Sequence, residues 1–197
     1  MTDAETLRTY AAKAAEYADV TGPVIAKDPV FAAFLEEVSP GGHILDLGCG
    51  PGLFAGAMAA RGFKVTATDA VPEMVEMANT HHGVTAQVTA FDDIKGIDIF
   101  DGIWANFSLL HAPRNAMPRH LAALHQALKP GGTFHIALKT GTGEKRDTIG
   151  RLYTYYTDAE LTDLVAQAGF TVTDRNTGRD KGLDGTYADW IALRAYG

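Results

Sequence analysis

Apolar residues recur along this chain in two alternating rhythms, one helical and one strand-like. Near the start, Leu7, Tyr10, Ala14 and Tyr17 fall on one face of a helix. Asp28-Pro29 reads as a helix start, an acceptor side chain followed by a proline in the first turn. Phe31, Phe34, Leu35 and Val38 then repeat at i, i+3, i+4 and i+7 until Ser39-Pro40-Gly41-Gly42 breaks the chain. From there the rhythms alternate. Strands are predicted at residues 43–47, 64–68, 85–91, 101–105 and 133–138, and helices at 53–61, 72–80 and 115–128. The last of these helices has Asn115 as its cap and Pro118 in its first turn, and Lys129-Pro130-Gly131-Gly132 stops it. Thr157 and Glu160 fit a capping box for a helix reaching Ala168, with Gly169 as its stop. Strands at 170–173 and 190–195 finish the chain with no helix between them.

Alternating β and α units predict a parallel sheet with helices on both faces, a three-layer α/β/α sandwich of Rossmann-like type. The two final strands, joined by a Gly-rich connection, are expected to run antiparallel. Residues 140–156 show no clear periodicity and read as a long loop. This divides the chain into an N-terminal helical lid at residues 1–39 and an α/β domain at 40–197.

Composition adds limits. A chain of 197 residues, 46% hydrophobic and 21% charged, suits one globular domain. No apolar run approaches the roughly 18 residues of a membrane span. The polar, acidic start Met-Thr-Asp-Ala-Glu is not a secretory signal, and one cysteine allows no internal disulfide, so a cytoplasmic location is expected. A net charge of −7 disfavours nucleic acid as a partner. Residues 1–110 hold 6 basic and 15 acidic side chains, and residues 111–197 hold 11 and 9. An anionic substrate would meet the second half more naturally, although ordinary scatter of surface charge gives the same pattern.

The candidate chemistry lies where the first strand runs into Asp46-Leu47-Gly48-Cys49-Gly50-Pro51-Gly52. Ligands of doubly wound sheets bind at the carboxyl ends of strands, and glycines there permit sharp turns and close approach. Asp69 ends the next strand, where a carboxylate can accept from ribose hydroxyls. These residues together describe a nucleoside pocket, against the alternative of tight turns alone. The dinucleotide signature G-x-G-x-x-G is absent. An acid just before the glycines would repel a pyrophosphate and suit a cationic amino acid group, which favours S-adenosylmethionine over NAD.

Residues 44–52 resemble the first motif of the class I S-adenosylmethionine-dependent methyltransferases. The likeness extends over about residues 40–196, through Thr68-Asp69 with Met74, Phe91-Asp92-Asp93, residues 100–105 and Leu128-Lys129-Pro130-Gly131-Gly132. Within the family the chain is similar to the type 11/12/25 group, and to a small bacterial subgroup sharing a Lys-x-Gly-x-Gly-Glu stretch before Tyr-Tyr. The resemblance implies a seven-stranded sheet of order 3-2-1-4-5-7-6 with an antiparallel last strand. It implies that Asp46, Gly48 and Gly50, with Cys49 and Gly52 in the same loop, hold the methionine part. Asp69 would hold the ribose. Ala70 and Val71, with Met74 and Phe91 beside them, would line the adenine, and Asp92 would take its exocyclic amine. Asn106 and Phe107 would flank the methyl group. The product would be S-adenosylhomocysteine.

The acceptor is expected to be a small molecule. His111, just past the fourth strand, is a candidate base or substrate-orienting group, or else a structural histidine. Arg151 and Tyr153, in the long segment 140–156, are candidates for an acceptor pocket that suits an anion, or else pin a solvated loop. Tyr10 and Tyr17 either cover the cofactor or simply pack on the domain. Trp104 reads as core, Cys49 as a small turn residue, and His81-His82 as a solvated helix end. No histidine spacing suggests a metal. An NAD-dependent oxidoreductase and a non-catalytic cofactor-binding protein are the competing readings.

Overall fold

The structure, a computed structural model, describes residues 3–25 and 28–197. Two short helices, α1 (Ala4–Ala12) and α2 (Ala14–Ile25), replace the one helix expected at the start. The chain leaves helical geometry at Lys13, the C-cap of α1. Helix α3 (Pro29–Glu37) is capped by the Asp28 carboxylate, which accepts from the N–H groups of Val30 and Phe31.

The α/β part follows as β1 (His43–Leu47), α4 (Leu53–Ala60), β2 (Lys64–Asp69), α5 (Pro72–Ala78), β3 (Val84–Val88), β4 (Phe100–Asn106), α6 (Met117–Ala127), β5 (Leu128–Lys139), β6 (Glu144–Arg146), β7 (Leu152–Thr154), α7 (Asp158–Gln167), β8 (Thr171–Lys181) and β9 (Tyr187–Tyr196). Seven strands make one sheet of order β3-β2-β1-β4-β5-β9-β8, with β9 antiparallel to both neighbours. Leaving β6 and β7 out of the count, this is the expected order. β1 pairs parallel with β2 and β4, and β4 with β5, so the order reverses between β1 and β4 and the crevice between their loops opens there.

Four details differ from the sequence reading. Segment 140–156 is not a bare loop, because β6 and β7 pair antiparallel in it. Three-residue strands are too short to show a period. Asn115 is not the cap of α6; it lies in a 3-10 turn, Arg114–Ala116, and Ala116 occupies the cap position. The last two strands are longer than expected and pair from Thr171↔Tyr196 to Lys181↔Tyr187. His81 is not solvated, since its ring packs on Gly56 and its Nε2 meets the Pro51 carbonyl at 3.0 Å.

The largest core cluster joins β4, β5 and β9 to α6 and α7. A second joins α3 and α4 to the sheet around Trp104. Trp104 is fully buried and stacks on His135 with ring centroids 3.6 Å apart, with Phe31, Phe34 and Phe54 around it. A small third cluster ties α1 and α2 to α5 through Ala14, Val71 and Met74. Among the described residues, no helix is long and apolar enough to cross a membrane.

Phe34 is fully enclosed between Trp104 and its neighbours. Phe34→Ala is expected to lower unfolding stability by ~3–5 kcal/mol in urea titration, the cost of a large core cavity. A loss under 1 kcal/mol would show that α3 is not part of the cooperative core.

Candidate active site

Strand β1 delivers the glycine loop to the loop after β4. Gly48 has φ of +70°, and a Cβ there would sit 2.3 Å from Ser108 Cβ. The residue must therefore lack a side chain for the two loops to touch. The Gly48 and Cys49 N–H groups both donate to the Thr68 carbonyl, at 2.7 and 2.9 Å. Asp69 completes the tie, accepting from Gly50 N at its Oδ2 and from Val71 N at its Oδ1, each at 2.9 Å. One carboxylate so holds the glycine loop and the start of α5 in register. Gly52 lies elsewhere: it caps α4 with φ of +77°, and its missing Cβ makes room for Ala78.

Three connected chambers surround this junction. One is lined by Asp69, Ala70, Val71, Met74 and Phe91, with Thr6, Leu7 and Tyr10 of α1 across it. A second, at the foot of the glycine loop, is lined by Asp46, Gly48, Cys49 and Gly50. A third opens beyond Phe107 toward Lys139, Arg151 and Tyr153. Tyr17 and Phe107 border all three. The first holds about 560 Å³ of space, part of it open to solvent. Of the residues expected at the cofactor, Gly52 and Asp92 do not line these chambers. The Asp92 carboxylate is paired with Arg119 at the surface.

Asp46 is 3% exposed, and its Oδ2 has no hydrogen-bond partner among the described residues. Burial pushes its carboxyl up to about 7, against the pull of a backbone N–H from Ala55 and with a push from the Asp69 charge. A buried carboxylate oxygen with a free lone pair fits a cationic group, whose charge would offset the desolvation. Burial also raises the pKa of Asp69, against the backbone N–H groups of Val71, Gly50 and Ala70.

Residues 44–132 match the family model described as a methyltransferase domain. Over that stretch the chain is similar to a methyltransferase domain. A ubiquinone biosynthesis O-methyltransferase of Xanthomonas campestris pv. campestris is 35% identical over 144 residues, 66% of this chain, and the chain spans 59% of that relative's length. A 1,6-didemethyltoxoflavin N1-methyltransferase of Burkholderia thailandensis, solved with 1,6-didemethyltoxoflavin and S-adenosylhomocysteine, superposes with a TM-score of 0.77 at 25% identity, covering 98% of this chain and 88% of that one. A methyltransferase structure from Methanosarcina mazei gives 0.76 at 17% identity, over 86% and 97%.

Two residues flank the chambers under constraint. Phe107 has φ of +52°, a left-handed conformation that a bulky side chain adopts only when its surroundings enforce it. Its N–H donates to the Ala137 carbonyl at 3.0 Å. Asn106 is held from below, its Oδ1 accepting from His135 Nε2 at 3.1 Å. Burial lowers the His135 pKa to about 3, so the ring is neutral.

The acceptor-side candidates converge but do different things. Arg151 donates to the Tyr10 hydroxyl at 3.0 Å, and that hydroxyl meets His111 Nε2 at 2.9 Å. His111 Nδ1 meets the Leu152 carbonyl at 2.7 Å, which makes Nδ1 the protonated nitrogen and Nε2 the acceptor from Tyr10. Burial brings the His111 pKa down to about 4. His111 is thus a neutral link that fastens α1 to β7, with both nitrogens occupied. Arg151 is neutralised by Asp147 at 2.8 Å, with both side chains almost fully buried. Arg151 and Tyr153 line the third chamber, while His111 lines the first. Thr6 and Thr9 bond to Leu152 and Ile149, completing the seam between α1 and the β6–β7 segment. Tyr10 and Tyr17 therefore cover the chambers while packing on the domain. Lys139 and Trp190 were not singled out as site residues by sequence. Lys139 ends β5 and Trp190 lies within β9, and only the pairing of the two strands shows that they face one chamber.

Two outcomes follow for stability. The raised Asp46 pKa means the folded state keeps a proton that the unfolded chain releases. Stability therefore falls as pH rises from the ordinary 3.8 through about 7, by as much as about 4 kcal/mol. Asp46→Asn is expected to narrow this loss, so its thermal midpoint should gain on wild type between pH 4 and 8; a constant difference would contradict the burial of a lone carboxyl. Arg151→Met leaves Asp147 buried without its partner and is expected to cost ~3–5 kcal/mol in denaturant unfolding, with the double variant Arg151→Met/Asp147→Asn recovering part of it. Equal losses in the single and double variants would refute the pairing.

Proposed function

We propose that the chain transfers the methyl group of S-adenosylmethionine to a small-molecule acceptor and releases S-adenosylhomocysteine. The observation that carries this reading is the unpartnered Asp46 Oδ2, buried beside the glycine loop. It suits the ammonium of an amino acid and is hostile to a pyrophosphate, which argues against NAD. Around it, Gly48, Cys49 and Gly50 take the methionine part, and Asp69 has lone pairs left for ribose hydroxyls. Ala70, Val71, Met74 and Phe91 supply an apolar wall for a purine. Asp92 would have to exchange Arg119 for the purine amine, a cheap exchange for an exposed pair. The relatives named above, an O-methyltransferase of ubiquinone biosynthesis and an N1-methyltransferase solved with 1,6-didemethyltoxoflavin, support a small acceptor.

The bound sulfonium supplies an electrophilic methyl group. The acceptor's electron pair forms the new bond to carbon as the carbon–sulfur bond breaks with its pair going to sulfur, and any acceptor proton passes to solvent. The chain's part is alignment. Asp46 and Asp69 fix one reactant at both ends, Asn106 and Phe107 set the third chamber against it, and Tyr10 and Tyr17 keep water out. Such alignment alone lowers the barrier by several kcal/mol. His111, neutral and engaged by Tyr10, has no free nitrogen to act as a base.

Calorimetry should show S-adenosylmethionine and S-adenosylhomocysteine binding, no heat with NAD, and at least tenfold weaker binding in Asp46→Asn. Affinity should rise with pH toward about 7 in wild type, as Asp46 ionises to receive the cation, and stay flat in the variant. Binding of NAD in place of S-adenosylmethionine would overturn the reading.

A further inference from the structure

The third chamber holds charges in an uneven state. Arg151 is matched by Asp147. Asp180 accepts from Trp190 Nε1 at 2.7 Å, and Asp184 accepts from the N–H and hydroxyl of Thr186 at 3.2 and 2.8 Å. Lys139 differs. Its ammonium lies 4.1 Å from the centre of the Tyr153 ring, and among the described residues no oxygen takes a hydrogen bond from it and no carboxylate pairs with it. Burial and the nearby Arg151 charge press its pKa down, while Asp184 and Asp147 act weakly the other way. A partly buried ammonium with three free donors is a ready partner for an anion.

The walls beside it are flat and rigid. Lys139 pairs with Trp190 across β5 and β9, so both side chains rise on one face of the sheet. The indole is seated over Gly178, where a Cβ would lie 2.4 Å from it, and is tethered by Asp180. Phe107 meets it edge-on with centroids 6.1 Å apart. The chamber encloses about 650 Å³ including space open to solvent, and through Phe107 and Tyr17 it adjoins the two chambers assigned above to the methyl donor.

We propose that this chamber takes the acceptor as a planar ring compound bearing an anionic oxygen group, a carboxylate or an ionised hydroxyl. The ring lies against Trp190 and Phe107, the anion bonds to Lys139 Nζ, and the ring edge nearest Phe107 meets the donor. This rests on the methyltransferase reading. Arg151 shapes the chamber and Lys139 selects the charge, which separates two roles that the chain's second-half positive charge left merged.

The test is calorimetry on the full chain saturated with S-adenosylhomocysteine, using naphthalene-2-carboxylate, its uncharged carboxamide and cyclohexanecarboxylate as probes. The carboxylate should bind at least tenfold more tightly than the carboxamide and more tightly than the non-planar acid. Lys139→Met should erase the preference for charge, Lys139→Arg should retain it, and Trp190→Leu should weaken both naphthalene probes while leaving their ratio. S-adenosylhomocysteine affinity should stay within twofold in all three variants, which also certifies their folding. Equal binding of carboxylate and carboxamide, or a preference that survives Lys139→Met, would overturn the proposal. If S-adenosylhomocysteine itself fails to bind wild type, it is the methyltransferase reading that falls.

Discussion

Gly48 lacks a side chain because Ser108 occupies the space one would need. That contact joins the loops leaving β1 and β4, the two strands at which the sheet order reverses, and the site depends on it. With the loops touching, Asp46 is buried at their base. Phe107, one residue before Ser108, is driven into the left-handed region and becomes the wall common to all three chambers. Any Cβ at position 48 would part the loops and shift both Asp46 and Phe107.

The buried charges of the molecule fall into two kinds, closed and open. Asp69 is closed by backbone N–H groups, Arg151 by Asp147, and His111 by Tyr10 and Leu152. Such groups hold the architecture, because leaving one partner alone in a dry interior costs several kcal/mol. Asp46 and Lys139 are open, one a carboxyl with its Oδ2 unpartnered and the other an ammonium without a carboxylate, and each borders a chamber. Buried polar groups are nearly always satisfied, which is why the open Asp46 oxygen at a chamber wall supports the proposed donor site. The opposite signs of Asp46 and Lys139 match the proposed division between a cationic donor and an anionic acceptor.

The N-terminal helices join these halves. Thr6, Thr9 and Tyr10 bond across to the β6–β7 segment, while Leu7, Tyr10 and Tyr17 pack over α5. The covering of the donor site and the shaping of the acceptor site are therefore one piece of structure.

Beyond the sheet order, which came through the family resemblance, the sequence by itself determined the α/β alternation and the glycine loop with its flanking acids. Each of these is written in local signals: a period of 2 or 3.6, a capping residue, a turn glycine beside a strand end. The same locality explains what it left out. The β6–β7 hairpin is made of strands too short to have a period, and Asn115 yielded its capping role to a 3-10 turn. Only the tertiary structure decided that Asp147 closes Arg151, that Tyr10 occupies His111, and that Lys139 stands open beside Trp190. Whether a charge is closed or open depends on partners that come from distant parts of the chain, such as Tyr10 for Arg151. That is set by how the elements pack, and no window of sequence contains it.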